Sequence, residues 1–152
     1  MQRMLKIIGK KLNSVFLQLK DVMILNFGDE IEYSLHIASF VRVVRDNEII
    51  FTSSDIFFNS DYEQKSDDDE SLIDITIEDV RKLLIGETVA DLEYNEIGDI
   101  KINLTNGFKI EIWTDCLFKN YEYFRFIEYL PFLSESNNYT STKVFTNTLS
   151  PT

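Results

Sequence analysis

The chain contains one histidine and one cysteine, two residue types that often carry chemistry near neutral pH. His36 lies in a run where apolar and polar residues alternate, as in a strand whose side chains point to opposite faces in turn. The apolar neighbours of His36 occupy the other face, so we expect the histidine to point away from the core. Cys116 follows a predicted strand, and a nucleophilic cysteine needs a thiolate-stabilising partner such as histidine or a helix N-terminus. The local sequence supplies no such partner. We therefore predict structural roles for both residues, no catalytic residue, and a protein that is not an enzyme.

Compact cofactor motifs are also missing from the sequence. It contains no P-loop, no dinucleotide-binding glycine motif, no paired-histidine zinc motif and no nucleophile elbow. A single cysteine excludes an internal disulfide and a thiolate metal cluster within one chain. The sequence therefore predicts neither a cofactor nor a metal site.

The acidic segment (residues 61–79) is the most unusual local feature, with nine acidic residues and one base, Lys65. It lacks the glycine and the spaced acids of a calcium loop. Two interpretations remain, a solvated loop or a patch that binds a basic partner. Under the second interpretation the predicted partner-binding residues are Asp61, Glu63, Asp67, Asp68, Asp69, Glu70 and Asp74.

The net charge of −11 constrains the partners of the whole chain. Nucleic acid and anionic lipid are poor partners for such a protein, because phosphate binding depends on Lys and Arg, whereas basic proteins are attracted. No run approaches the roughly 20 apolar residues of a membrane helix. The basic amino terminus lacks the uninterrupted apolar stretch of a secretory signal. A cytoplasmic location is the expectation.

Strand patterns dominate the chain and predict an α+β fold, mostly antiparallel sheet. One main helix is predicted over 77–85, packed by Ile77, Val80, Leu83 and Leu84, with Thr76 as N-cap and Gly86 as its stop. Residues 121–130 are compatible with a short closing helix. We predict one domain over 1–133 and a loose polar tail over 134–152. The predicted strands are 15–19, 22–27, 31–37, 40–44, 49–51, 89–94, 99–104 and 108–113.

An aromatic concentration follows the last of these strands. Core filling is the favoured interpretation, and a hot spot for a protein partner is the alternative. Its members are Trp113, Phe118, Tyr121, Tyr123, Phe124 and Phe126.

A shift of 77 residues aligns the two halves of the chain without a gap. Gly9 then falls on Gly86, and Phe27 falls on Leu104. Alternating hairpins also match by chance, so a duplication and a coincidence both remain open. A true duplication predicts that residues 8–36 and 85–113 form equivalent hairpin units.

Several short stretches resemble a small bacterial domain family without settled function, over about residues 5–127. They are Leu35-His36-Ile37, Arg42-Val43-Val44, Glu48-Ile49-Ile50, Ser53-Ser54-Asp55-Ile56, residues 98–102, residues 105–112 and Glu122-Tyr123-Phe124-Arg125-Phe126. Several small acidic proteins of this general type are immunity proteins encoded beside polymorphic or contact-dependent growth inhibition toxins. The resemblance implies an immunity protein that binds and neutralises a cognate toxin domain, for example a nuclease with a basic cleft. The alternative is a small intracellular scaffold or regulatory module without a toxin partner.

Overall fold

The computed structural model describes residues 2–19, 21–114, 123–129 and 143–146. Two antiparallel five-stranded sheets and one α-helix make up most of this structure, which confirms the predicted α+β class. Two short 3₁₀ helices span Gln2–Ile7 and Ser53–Phe57. The other elements are β1 (Leu12–Gln18), β2 (Val22–Phe27), β3 (Tyr33–Ile37), β4 (Phe40–Arg45), β5 (Glu48–Thr52), α1 (Leu72–Leu84), β6 (Val89–Tyr94), β7 (Ile100–Leu104), β8 (Lys109–Trp113), β9 (Phe124–Glu128) and β10 (Lys143–Thr146).

The two sheets exchange strands between the halves of the chain. The first sheet has the order β1-β2-β3-β9-β10, and the second has the order β6-β7-β8-β4-β5. Each sheet is therefore a three-stranded meander from one half, completed by two strands from the other half. The exchange is anchored where Leu35 of β3 lies opposite Phe126 of β9 and Val41 of β4 lies opposite Ile112 of β8.

Hydrogen bonds between the two meanders repeat at the interval of 77 residues. The Gly9 N–H donates to the Val89 carbonyl at 2.8 Å, and the Gly86 N–H donates to the Leu12 carbonyl at 2.8 Å. Adding 77 to Gly9 gives Gly86, and subtracting 77 from Val89 gives Leu12. The two bonds are therefore equivalent under the repeat. An isolated antiparallel bridge between Lys11 and Thr88 lies between them and maps onto itself.

The bulges of the two meanders confirm this equivalence. Leu12 pairs with Phe27 immediately before a register shift in β1, and Val89 pairs with Leu104 immediately before a register shift in β6. Phe27 and Leu104 thus occupy matching positions, as the duplication predicts. The 77-residue repeat is a structural repeat with approximate two-fold symmetry.

The inner faces of both sheets and one face of α1 share a single hydrophobic core. Three members of the aromatic concentration, Tyr123, Phe124 and Phe126, are buried in it, which confirms core filling for them. Trp113 is 45% exposed on the outer face of the second sheet, so core filling is wrong for this residue. Phe118 and Tyr121 lie outside the described residues.

The helix begins five residues earlier than the predicted 77–85. Its N-cap is Ser71, whose hydroxyl donates to the Asp74 carboxylate at 2.7 Å. Thr76 is inside the helix and donates its hydroxyl to the Leu72 carbonyl at 3.0 Å, so its assignment as N-cap is wrong. The reason is that Ile73 extends the apolar face by one further turn and is fully buried.

The packing face of α1 is close to the predicted one. Ile77, Val80 and Leu84 are buried as expected, but Leu83 is 39% exposed and does not belong to the core face. Gly86 has a φ of +90° immediately after the helix, which confirms it as the stop.

The sequence of residues 121–130 is compatible with a short closing helix, but the described part of this stretch is not helical. Phe124–Glu128 is the strand β9, which pairs with β3. Phe124 and Phe126 are buried on the same face, as expected for the two-residue period of a strand. Hydrogen bonds to the edge of β3 favour the extended conformation of this stretch. Within the predicted tail, Lys143–Thr146 pair with β9 as β10, and its other residues lie outside the described ones. No helix in the described residues is both long and apolar enough to span a membrane.

Candidate partner-binding surface

The first part of the acidic segment is a folded loop between the 3₁₀ helix Ser53–Phe57 and α1. Backbone hydrogen bonds hold it to its neighbours. The Lys65 N–H donates to the Phe57 carbonyl at 3.0 Å, and the Leu72 N–H donates to the Phe58 carbonyl at 2.7 Å. The Asn59 N–H donates to the Glu63 carbonyl at 2.9 Å. The loop therefore presents its charges from a defined backbone.

Side chains of the loop reinforce this backbone. The Asn59 Oδ1 atom accepts the N–H groups of Asp61 and Glu63, each at 3.0 Å. The Lys65 ammonium donates to the Ser66 carbonyl at 3.0 Å. The single basic residue of the loop is thus used in a backbone contact.

The predicted binding residues fall into two groups in the structure. Asp69 is structural, because its carboxylate accepts the Ser66 N–H at 2.8 Å, and this bond is the largest cause that lowers the pKa of Asp69. Asp74 lies apart in the first turn of α1, half-buried and bonded to Ser71. The remaining carboxylates are exposed, and the ion pairs formed among the described residues do not include them. They are Asp61, Glu63, Asp67, Asp68 and Glu70.

Exposed apolar side chains lie in or near the same loop, and the sequence analysis did not identify them. Tyr62 is 77% exposed and Phe57 is 65% exposed, while Phe58 and Ile49 are also exposed. The signal was present in the sequence, since Tyr62 lies between Asp61 and Glu63 and the pair Phe57-Phe58 precedes the acidic run by two residues. Charge alone drew attention to the carboxylates. We call these four residues, together with the five exposed carboxylates, the acidic-aromatic surface.

A cleft of about 390 Å³ opens beside this surface, between β5 and the start of α1. The lining of this cleft includes one carboxylate, that of Asp55 in the 3₁₀ helix Ser53–Phe57. Burial raises the pKa of the Asp55 carboxyl, and a hydrogen bond with the Thr52 backbone partly opposes this rise. The lining residues are Ile49, Ile50, Phe51, Thr52, Asp55, Phe58, Tyr62, Leu72 and Thr76.

A second concavity, of about 280 Å³, lies on the outer face of the second sheet beside Trp113. The Arg42 guanidinium lies over the Trp113 ring at 4.5 Å and binds the Glu111 carboxylate at 2.5 Å. Glu93, also in its wall, accepts the Asn103 amide at 3.0 Å, and this bond is the largest cause that lowers the pKa of Glu93. Its charged groups already have partners within the protein, so it is the weaker candidate.

Of the two residues considered for chemistry, His36 and Cys116, the structure describes only His36. His36 is half-buried on the outer face of the first sheet, as its parity predicts, between Ile24 and Arg125 in register. Cys116 lies outside the described residues. Within the described part of the chain, no three acidic, histidine or cysteine residues are arranged to hold a metal ion.

Comparison of the chain with models of protein families, with curated proteins and with solved structures finds no match. The function is therefore inferred from the residues of the acidic-aromatic surface and the neighbouring cleft.

Proposed function

We propose that this protein is an immunity protein that binds a cognate toxin domain through the acidic-aromatic surface and neutralises it. The observation that carries the proposal is the set of exposed carboxylates without ion-pair partners among the described residues, placed beside exposed aromatic side chains. Nuclease toxins have basic, phosphate-binding clefts, and such a cleft is the complement of this surface.

Charge at this surface contributes to association. The Debye length is about 8 Å at physiological ionic strength, so neighbouring carboxylates such as Asp67 and Asp68 act together on an approaching basic protein. Repulsion within the loop is relieved when cations of the partner approach. Because the loop backbone is hydrogen-bonded to its neighbours, little additional ordering opposes binding.

Apolar contact supplies the short-range part of the interaction. Binding energy in protein interfaces concentrates in a few aromatic and arginine residues surrounded by polar groups. Tyr62 and Phe57 are exposed aromatic side chains with acidic residues near them in the sequence: Tyr62 lies between Asp61 and Glu63, and Phe57 lies between Asp55 and Asp61. A surface used only for solubility gains nothing from these exposed rings.

The test measures binding kinetics at low and high salt with the toxin domain that this proposal expects in a neighbouring gene. The variant Asp67→Asn, Asp68→Asn, Glu70→Gln removes three exposed charges and leaves the structural Asp69 in place. We expect association about tenfold slower at low salt and a flatter salt dependence. The matched control is Asp21→Asn, Asp91→Asn, Glu96→Gln, which removes the same charges at exposed positions elsewhere in the chain.

Two results would contradict the proposal. The first is equal loss of association rate in the two variants, which would show that only net charge matters. The second is absence of binding and of protection from the neighbouring toxin by the wild-type protein.

A further inference from the structure

The cleft between β5 and α1 combines apolar walls with one acidic group. Ile49, Phe58 and Leu72 contribute apolar surface, and Asp55 contributes the carboxylate. A volume of about 390 Å³ is near the lower end for ligand pockets, which range over about 300–1,000 Å³. The cleft is therefore suited to one long side chain or a molecule of similar size.

The electrostatics of the cleft select a cation. Desolvation raises the pKa of Asp55, so its charged form is poorly stabilised in the protein alone. The ion pairs formed among the described residues do not include Asp55. An arriving cation would supply the missing stabilisation.

The remaining wall groups favour a planar cation with several donors. Thr76 uses its hydroxyl proton on the Leu72 carbonyl, which leaves its oxygen available as an acceptor. Phe58 and Tyr62 contribute aromatic rings to the wall, and a guanidinium stacks on such rings more readily than an ammonium does. Ile49 and Ile50 suit a methylene stem.

We infer that this cleft receives an arginine side chain of the partner protein, with the guanidinium at Asp55 and the stem against Ile49 and Phe58. This inference deepens the proposed function and rests on it. Exposed carboxylates of the neighbouring loop guide the basic partner, and the cleft fixes one of its arginines in place.

The first experiment follows the amide signals of the protein by ¹H–¹⁵N NMR during titration with Nα-acetyl-arginine amide. We expect saturable shifts at cleft residues such as Thr52 and Tyr62. Nα-acetyl-citrulline amide has nearly the same shape without the charge and should give no saturable shift. Asp55→Asn retains an oxygen that can accept the Thr52 bond, and it should weaken arginine binding about tenfold. Asp68→Asn removes the same charge outside the cleft and should leave that affinity within about twofold.

The second experiment measures the neighbouring toxin domain with the same two variants. Asp55→Asn should increase its dissociation rate about tenfold, whereas Asp68→Asn should act mainly on association. Toxin binding that is unchanged in Asp55→Asn would overturn the inference and leave the proposed function standing.

The ligand titration separates the two failures, because it needs no toxin. Absence of saturable shifts up to about 50 mM arginine amide, or equal shifts with the citrulline compound, would overturn the arginine site. Saturable arginine binding together with no toxin binding would overturn the proposed function alone.

Discussion

Gly9 and Gly86 occupy equivalent positions in the two halves of the fold, and their replacement by alanine should cost similar free energy. Each donates its N–H to the opposite meander, and each has a positive φ, +80° and +90°. No atom lies within 4 Å of a Cβ added at either position. The cost of alanine is therefore backbone strain, without steric overlap.

The magnitude follows from two opposing effects. An L-residue in the left-handed region costs about 1–2 kcal/mol. Alanine also restricts the unfolded chain, which offsets about 0.4–1 kcal/mol. We expect Gly9→Ala and Gly86→Ala each to lower the free energy of unfolding by about 1 kcal/mol, equivalent to about 2–4 °C in Tm.

Gly28 provides the contrast within the same chain. Its φ is +109°, and an added Cβ would overlap the Glu30 backbone carbonyl and the Glu32 side chain. A backbone atom cannot rotate away, so strain and overlap combine. Gly28→Ala should cost about 3 kcal/mol or more.

The assay is urea unfolding followed by the fluorescence of the single tryptophan, with linear extrapolation to water. Costs at Gly9 and Gly86 that differ by more than about 1 kcal/mol would refute their equivalence. A Gly28→Ala variant as mild as the other two would refute the steric argument.

Three further predictions concern polar groups. Asn26→Ala should lower the free energy of unfolding by about 1–3 kcal/mol in urea unfolding, because the buried Ser34 hydroxyl then keeps only the longer bond to the Tyr129 hydroxyl at 3.4 Å, and Ser14 loses the donor of Asn26. A cost below about 0.5 kcal/mol would contradict these bonds. The hydrogen bond from the Ser66 N–H lowers the pKa of Asp69 in the folded protein. Asp69→Asn should therefore lower the free energy of unfolding at pH values above the ordinary carboxyl pKa, and should have no effect once the pH falls below the folded pKa. Curves of the free energy of unfolding against pH for the wild type and the variant should converge at low pH, and parallel curves would contradict this cause. His36→Ala should change stability by at most about 1 kcal/mol and leave toxin neutralisation unchanged in a growth assay, and lost neutralisation with intact binding would contradict the non-enzymatic reading.

Local sequence patterns predicted most of the elements because their physical causes are local. Alternation at period two identified the strands, and the 3,4 spacing of Ile77, Val80 and Leu84 identified the helix. The helix start was missed because Ile73 lies within the acidic run, where charge obscured the apolar face. β9 was missed because a short aromatic stretch fits both periods, and only pairing with β3 decided between them.

The candidate site was predicted in part for the same reason. Acidic residues close together in sequence, such as Asp67 and Asp68, are necessarily close together in space. The cleft could not be predicted, because Ile49 and Thr76 are 27 positions apart and meet only when α1 packs beside β5. Asp55 is a single acid in the sequence with no pattern around it, and its pKa is raised only because the folded protein buries it.

The sequence by itself determined most of the strands and the position of the main helix, because turn residues, capping and side-chain alternation act over a few positions. It left the 77-residue repeat open, and the paired bulges and hydrogen bonds of the two meanders decided it. The sequence also determined the charge available for a partner. The tertiary structure alone decided that β4 and β9 cross to the opposite sheets, a choice that depends on fitting the inward side chains of two distant meanders. That exchange positions β5 at a sheet edge beside α1, and so creates the cleft in which Asp55 lies.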